Sequence, residues 1–424
     1  MINNIFNLYQ KFLESNGVTT DTRSIKQNQI FFALKGDNFN ANQFAQKALE
    51  IGASYVVIDD EVYNIDVRCI LVENVLHTLQ QLALHHRRQI QLKALLAITG
   101  SNGKTTTKEL VHAVIKEQYK THATKGNLNN HIGIPITLLE MPLDTEIAII
   151  EMGANHQNEI AQYCTYTEPT HGIITNIGKA HLEGFGGVDG IIKGKGELFD
   201  YLTKNNGTAI YNADDAILCK MIEDKQIKNK YAYSVNQVNI VQEFPNIIVE
   251  SDTQNIKTNL FGKYNLSNVL CAIKIGQLFQ ISIEKIKQGI ENYFPNNKRS
   301  ELIEKEGYQL ILDYYNANPT SMQHALENFS LSKNKNRIVI LGDMFELGNN
   351  ASEEHQHIAK LAEDLNFEKI VLVGKNFKNV IVNKAIKFDT SDEAKIWFKS
   401  KDKLNSEILI KGSRGMKMEN ILSE

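Results

Sequence analysis

An apolar run, Ala94-Leu95-Leu96-Ala97-Ile98, passes directly into Thr99-Gly100-Ser101-Asn102-Gly103-Lys104-Thr105-Thr106-Thr107, and that stretch passes directly into a helical pattern through Leu110, Val111, Val114 and Ile115. A strand, a glycine turn and a helix in this order are where a chain grips a phosphate. Gly100 and Gly103 let backbone N–H groups turn inward with no Cβ in the way, and the helix N-terminus adds its positive end. Lys104 supplies a point charge, and Thr105 offers a hydroxyl to Mg²⁺. Ser101, Asn102 and Thr106 complete the loop, so nucleotide triphosphate chemistry leads the reading. Ile98 stands where the common G-x-x-x-x-G-K-[ST] pattern places its first glycine, which makes this a shorter variant of that loop.

At 424 residues the chain is long enough for about three domains. Its 22% charged and 42% hydrophobic residues are those of an ordinary soluble protein. A net charge of -3 gives no electrostatic reason to expect nucleic acid, and no run approaches a membrane span. The start, Met1-Ile2-Asn3-Asn4-Ile5-Phe6, lacks a basic segment followed by an apolar one, so a cytoplasmic location is expected. Cys69, Cys164, Cys219 and Cys271 are widely spaced and lie among apolar residues, which suits reduced core cysteines rather than disulfides or zinc ligands.

Short strands (30–34, 55–58, 69–72) alternate with helical stretches (41–51, 75–86) up to about residue 90, as in a small α/β domain. A longer alternation follows, with strands at 95–99, 147–151 and 172–177 and a helix at 188–202, implying a mostly parallel sheet. Periodicity lapses at Phe294-Pro295-Asn296-Asn297, and a third alternating set then begins with strands at 310–313, 337–341, 369–373 and 407–410. The expected organisation is α/β in three domains. These are a small N-terminal domain (1–90), a central phosphate-loop domain with a mostly parallel sheet (91–296) and a C-terminal Rossmann-like α/β domain (297–424).

Glu151 ends one central strand, and His181 follows another through Gly178-Lys179-Ala180. Ligands of open α/β sheets bind at that strand edge, where Glu151 is suited to hold Mg²⁺ with Thr105 and His181 to meet metal or phosphate. Lys193 and Lys195, two positions apart in a helix, point to different faces, and pattern alone reads both as surface charges.

Several stretches, in the same order, resemble the Mur ligase family. They are the phosphate loop, Gly126-Asn127-Leu128-Asn129-Asn130 with Ile132-Gly133-Ile134-Pro135, Glu151-Met152-Gly153, and Thr175 through Glu183. Three later stretches single out one branch of it: Asp313-Tyr314-Tyr315-Asn316-Ala317-Asn318-Pro319-Thr320-Ser321-Met322, Gly342-Asp343-Met344-Phe345-Glu346-Leu347-Gly348, and Lys411 through Glu419. The resemblance implies a monomeric enzyme of peptidoglycan synthesis that uses ATP to join D-alanyl-D-alanine to UDP-N-acetylmuramoyl-tripeptide through an acyl phosphate. It also implies two Mg²⁺ ions, one with Thr105 and Glu151 and one near His181 and an N-carboxylated Lys195, so that Lys104, Glu151, His181 and Lys195 carry the catalysis. Asn265, Asn268, Arg299, Asp313 and Tyr315 would join the loop around ATP. Thr22, Arg23, Lys35, Gly36, Asn127 and Asn130 would meet the nucleotide-linked acceptor, and Asn316, Asn318 and Ser321 the dipeptide. Tyr264, Lys298 and Asn40-Ala41-Asn42 depart from the pattern expected at their positions.

Two alternatives stay open at this point. One is a related ligase that adds the third peptide residue or a glutamate, or that extends folate. The other is a phosphate-loop switch that hydrolyses ATP without making a bond.

Overall fold

The computed structural model describes residues 5–295, 298–305 and 307–423. The reading of Met1 to Asn4 and the expected boundary between Asn296 and Asn297 lie outside the described residues. The chain forms two compact units. The described residues of the first fall within 1–97, 119–154 and 158–172, and those of the second within 98–118, 155–157 and 173–424.

The first unit opens with a parallel sheet whose strands run in the order Val18–Thr19, Ile30–Phe32, Tyr55–Ile58 and Cys69–Leu71. The second and third are apolar almost throughout, which suits strands covered on both faces. Phe31, Val56 and Ile58 pack against Ala41, Ala45 and Ala48, small residues that let the helix Ala45–Ile51 lie close to the sheet. The expected helix over 41–51 starts as a 3₁₀ turn at Ala41–Phe44. The helix Val75–Gln89 is capped by the side chain of Asn74, which accepts the His77 N–H.

A six-stranded sheet has the order Asn229–Tyr233, Thr208–Asn212, His171–Ile174, Ala94–Thr99, Ile147–Glu151 and Thr121–Ala123. Every side chain of Ala94–Thr99 and Ile147–Glu151 is buried, as central parallel strands require. The strand expected over 172–177 ends at Ile174 instead. Thr175 and Asn176 leave the sheet because their side chains both donate to the Asn102 carbonyl, at 2.6 and 3.0 Å.

Residues 239–261 hold an unanticipated antiparallel meander, Asn239–Gln242, Asn246–Ser251 and Gln254–Phe261. Its second and third strands mix buried with partly exposed residues, the first has none buried, and their many polar side chains hide them from a search for apolar runs.

The last sheet has the order Glu301–Lys305, Tyr308–Asp313, Ser406–Lys411, Arg337–Gly342, Lys369–Val373 and Ala385–Phe388, parallel except for its first pair. The final strand of the chain inserts between two earlier ones, with Lys411 in register with Asp313 on one side and Leu341 on the other. This strand order brings the loops after Asp313, Gly342 and Lys411 to one edge, where open α/β sheets bind ligands.

Candidate active site

The phosphate loop is folded around its two glycines. Gly100 has φ +142°, and a Cβ there would fall 1.9 Å from Thr175 Oγ1. Gly103, at φ +79°, begins the helix Lys104–Ile115 and contributes no side chain to cap it. That leaves the helix end without a side-chain acceptor of its own, which suits it to an anionic ligand. Lys104 Nζ donates to the carbonyls of Gly100 and Ser101 at 2.8 and 3.3 Å, so the cation lies over its own loop.

The loop is fastened from behind by the chain that follows the strand His171–Ile174. Ser101 N–H donates to the Asn176 carbonyl and Asn102 N–H to Asn176 Oδ1, both at 3.0 Å. Ser101 Oγ bonds both the carbonyl and the N–H of Gly178 at 2.9 Å. Thr107 Oγ1 donates to Asn268 Oδ1 at 3.0 Å, and Asn268 Nδ2 donates in turn to Asn265 Oδ1 at 2.9 Å. Both asparagines are buried. Asn265, Asn268 and the loop helix therefore form one network.

His181 sits at φ +56° just before the short helix Leu182–Phe185, and its Nδ1 contacts a carboxylate oxygen of Glu346. The hydrogen bond with His181 outweighs partial burial and holds the Glu346 carboxyl below its usual range. Lys195 is wholly buried in the helix Val188–Lys204, with Nζ 5.1 Å from the centre of the Phe185 ring, whereas Lys193 is exposed. The surface-charge reading of Lys195 is overturned. Its neighbours Gly194 and Gly196 carry no side chains, and a Cβ at Gly194 would meet the Phe185 ring at 2.5 Å, so that ring packs down over the lysine.

Asp313 is anchored on both sides, accepting from Lys411 Nζ at 2.6 Å and from Ser300 N–H at 3.2 Å. Lys411 is almost fully buried, and pattern reading gives it no separate role, although a lysine ending the apolar run Ile408-Leu409-Ile410 carries that signal. Tyr315 packs against two guanidiniums, those of Arg299 at 3.8 Å and Arg414 at 5.2 Å. Tyr264 places its hydroxyl 2.7 Å from Ser300 Oγ, and burial pushes its phenol well above the ordinary range.

The strand-edge loops enclose a cleft of about 240 Å³ lined by His181, Tyr315, Asn316, Asn318, Glu346 and Arg414 among others. Asn316 is exposed at its rim. Asn318 and Ser321 are committed to each other. Asn318 Oδ1 accepts the Ser321 N–H at 2.9 Å and Ser321 Oγ accepts the Asn318 N–H at 3.1 Å, a capping box that starts the helix Pro319–Ser330.

The remaining sequence-predicted residues lie in the first unit. Glu151 is buried at its strand end and accepts from Asn129 Nδ2 at 2.7 Å. Asn129, to which sequence reasoning assigns no role, thus fixes the carboxylate. Asn130 Oδ1 accepts the N–H groups of Ile132 and Gly133, while Asn127 is exposed. Arg23 forms a fork with Asp21, whose carboxyl is lowered to about 2 by that hydrogen bonding. It follows Thr22 in the turn Thr22–Ser24. Lys35, exposed beside Gly36, reaches Asp59 at 2.9 Å. Burial opposes ionisation of Asp59, but hydrogen bonds from Lys35 and Asn42 outweigh it and keep its carboxyl below the ordinary range.

The Mur ligase middle domain matches residues 98–276, and the Mur ligase glutamate ligase domain matches residues 298–414. The chain is 34% identical to the UDP-N-acetylmuramoyl-tripeptide--D-alanyl-D-alanine ligase of Bacillus subtilis, over 96% of this chain and 93% of that one. The chain belongs to the Mur ligase family. The enzyme of the same name from Escherichia coli is 32% identical to this Mur ligase over 96% of this chain and 93% of its own. A crystal structure of MurF from Acinetobacter baumannii superposes with a TM-score of 0.86 at 28% identity, covering 99% of this Mur ligase and 97% of that protein. Among the described residues no helix is long and apolar enough to cross a membrane.

Proposed function

We propose that this Mur ligase joins D-alanyl-D-alanine to UDP-N-acetylmuramoyl-tripeptide at the expense of ATP, completing the pentapeptide precursor of peptidoglycan. The observation that carries this reading is likeness along the whole chain to ligases named for that reaction, at 34 and 32% identity over 96% of its length. Three solved structures of folate-extending and third-residue ligases are 12 to 16% identical to this chain and show the fold alone.

A carboxylate is a poor electrophile, because its oxygen is a poor leaving group. In the proposed reaction the terminal carboxylate of the tripeptide attacks the γ-phosphorus of ATP, releasing ADP and forming an acyl phosphate. The dipeptide's amine then adds to the acyl carbon, and phosphate leaves as the amide forms, with a proton lost from nitrogen. Lys104 and the backbone N–H groups at the start of the helix Lys104–Ile115 would lower the repulsion between the attacking carboxylate and the triphosphate.

The loop fits a triphosphate on its own geometry: a side chain at Gly100 would strike Thr175, and the helix end has no side-chain cap. For Mg²⁺ the proposed donors are the Thr105 hydroxyl and Glu151 for one ion, and His181 with Lys195 for the other. Among the described residues no three His, Cys, Asp or Glu side chains cluster as a metal site, so these donors need oxygen from the nucleotide and from a modified lysine. N-carboxylation fits Lys195, since it converts a wholly buried ammonium that would repel a cation into an oxygen anion that attracts one. When bound, Mg²⁺ neutralises phosphate charge and polarises the reacting phosphoryl group.

Arg299 and Tyr315 are proposed to flank the nucleotide, and Asp313 to act through its bond to Lys411. Thr22, Arg23, Lys35, Gly36, Asn127 and Asn130 are proposed to meet the nucleotide-linked acceptor. The division into domains 1–90, 91–296 and 297–424, a monomeric state and a cytoplasmic location belong to the same reading.

The test is phosphate release from ATP, MgCl₂, UDP-N-acetylmuramoyl-tripeptide and D-alanyl-D-alanine, with mass spectrometry of the product. One phosphate per pentapeptide is expected, with dependence on both substrates. Hydrolysis that ignores the dipeptide would instead mark an ATP-driven switch.

A further inference from the structure

The small cleft at the C-terminal sheet edge carries opposite charges on its walls. Glu346 contributes a carboxylate whose side chain is 53% exposed although it contacts His181. Arg414 contributes an exposed guanidinium that packs against Tyr315 and has no carboxylate partner among the described residues. Both are held by one hydroxyl. Ser413, immediately before Arg414, accepts the N–H of Phe345, immediately before Glu346, at 3.1 Å and donates to the Ala317 carbonyl at 3.3 Å. A cleft of about 240 Å³ with a fixed carboxylate and an available guanidinium is complementary to a short zwitterion.

We propose that Glu346 and Arg414 read the two ends of the incoming dipeptide, Glu346 accepting from its amino nitrogen and Arg414 donating to its terminal carboxylate. This rests on the ligase reading above. The direction follows from the chemistry. The amine must approach the activated carbonyl, and Glu346 is the charge that touches His181, a residue assigned to that reacting end; the carboxylate is then left for Arg414. Asn318 serves as a positioning residue, because its side chain is already used to cap its helix and to bond the phosphate loop. Selection of the dipeptide is thereby a selection for two free ends.

The experiment compares D-alanyl-D-alanine with its C-terminal amide as substrates, and measures N-acetyl-D-alanyl-D-alanine as a competitive inhibitor. The wild type is expected to favour the free acid over the amide by about tenfold or more in KM, the scale of a lost charge-assisted bond. Arg414→Ala is expected to erase that preference and Arg414→Lys to keep part of it. Glu346→Gln is expected to narrow the gap between the dipeptide's KM and the inhibition constant of its N-acetyl form. A merely structural role would slow both substrates alike and leave the ratios unchanged. If the wild type ligates the dipeptide but does not distinguish acid from amide, or if Arg414→Ala keeps the distinction, the charge-reading proposal is overturned. If no tripeptide acceptor is extended by the wild type at all, the ligase reading itself fails.

Discussion

Asn318 Nδ2 donates to Asn102 Oδ1 at 2.7 Å, joining the start of the helix Pro319–Ser330 directly to the phosphate loop. Two residues on, Thr320 Oγ1 accepts the Lys179 N–H at 3.1 Å, beside the same fastening segment. One side chain therefore both caps a helix and braces the glycine loop at Asn102.

Replacing Asn318 by Asp keeps the capping oxygen and removes the donor to Asn102. Asn318→Asp is expected to keep a thermal midpoint near wild type while weakening ATP binding by about tenfold, the value of one buried hydrogen bond to an unpaired partner. Asn318→Ala loses the cap as well and should cost about 1 kcal/mol of stability. Calorimetric titration of nucleotide, set beside thermal unfolding, separates the two effects. ATP affinity unchanged in Asn318→Asp would dismiss the brace.

Lys195→Ala is expected to fold and to lose nearly all turnover. A small carboxylate such as acetate, supplied in the assay, should restore part of it by standing in for the proposed N-carboxylate. Normal turnover in the purified variant would remove Lys195 from the mechanism.

The Lys411–Asp313 pair is enclosed, with side chains 3 and 13% exposed. Lys411→Met leaves a buried carboxylate without its cation and should destabilise the protein by about 3 kcal/mol. Adding Asp313→Asn should recover part of that loss. Urea unfolding of the single and double variants measures the coupling, and additive losses would show that the pair does not act as a unit.

His171 contributes to the acid dependence, beside His86, His122, His324 and His355, whose imidazoles burial also pushes down. Burial pushes its imidazole down to about 4, so the folded chain resists a proton that the unfolded chain takes near pH 6.5. Its contribution is intact above about pH 6.5 and is lost progressively as pH falls toward 4, because the unfolded state binds more protons in that window. His171→Gln is expected to reduce the fall in urea-measured stability between pH 7 and 5. An unchanged slope would assign the acid loss to other groups.

The local chemistry was legible wherever neighbours in sequence are also neighbours in space. The phosphate loop, the buried strands Tyr55–Ile58, Ile147–Glu151 and Lys369–Val373, and the helix from Val188 each follow from a short pattern. Their dihedral and burial requirements are met within a few residues. The meander at 239–261 escapes such a reading because half-exposed polar strands lack that pattern.

The amino-acid order alone determined that this chain has a glycine turn between a strand and a helix on a parallel α/β scaffold, since glycine geometry and apolar periodicity are local properties. Tertiary structure decided the rest. Lys195 and Lys193 are the same residue type two positions apart, and only the packing of Phe185 and the flanking glycines makes one of them buried. Asn102 meets Asn318, 216 residues away, and Asp313 meets Lys411, 98 residues away, the second pair because the last strand inserts between two earlier ones. Burial and partnership are set by the whole fold's solution for its apolar surface, and no short window of sequence contains that solution.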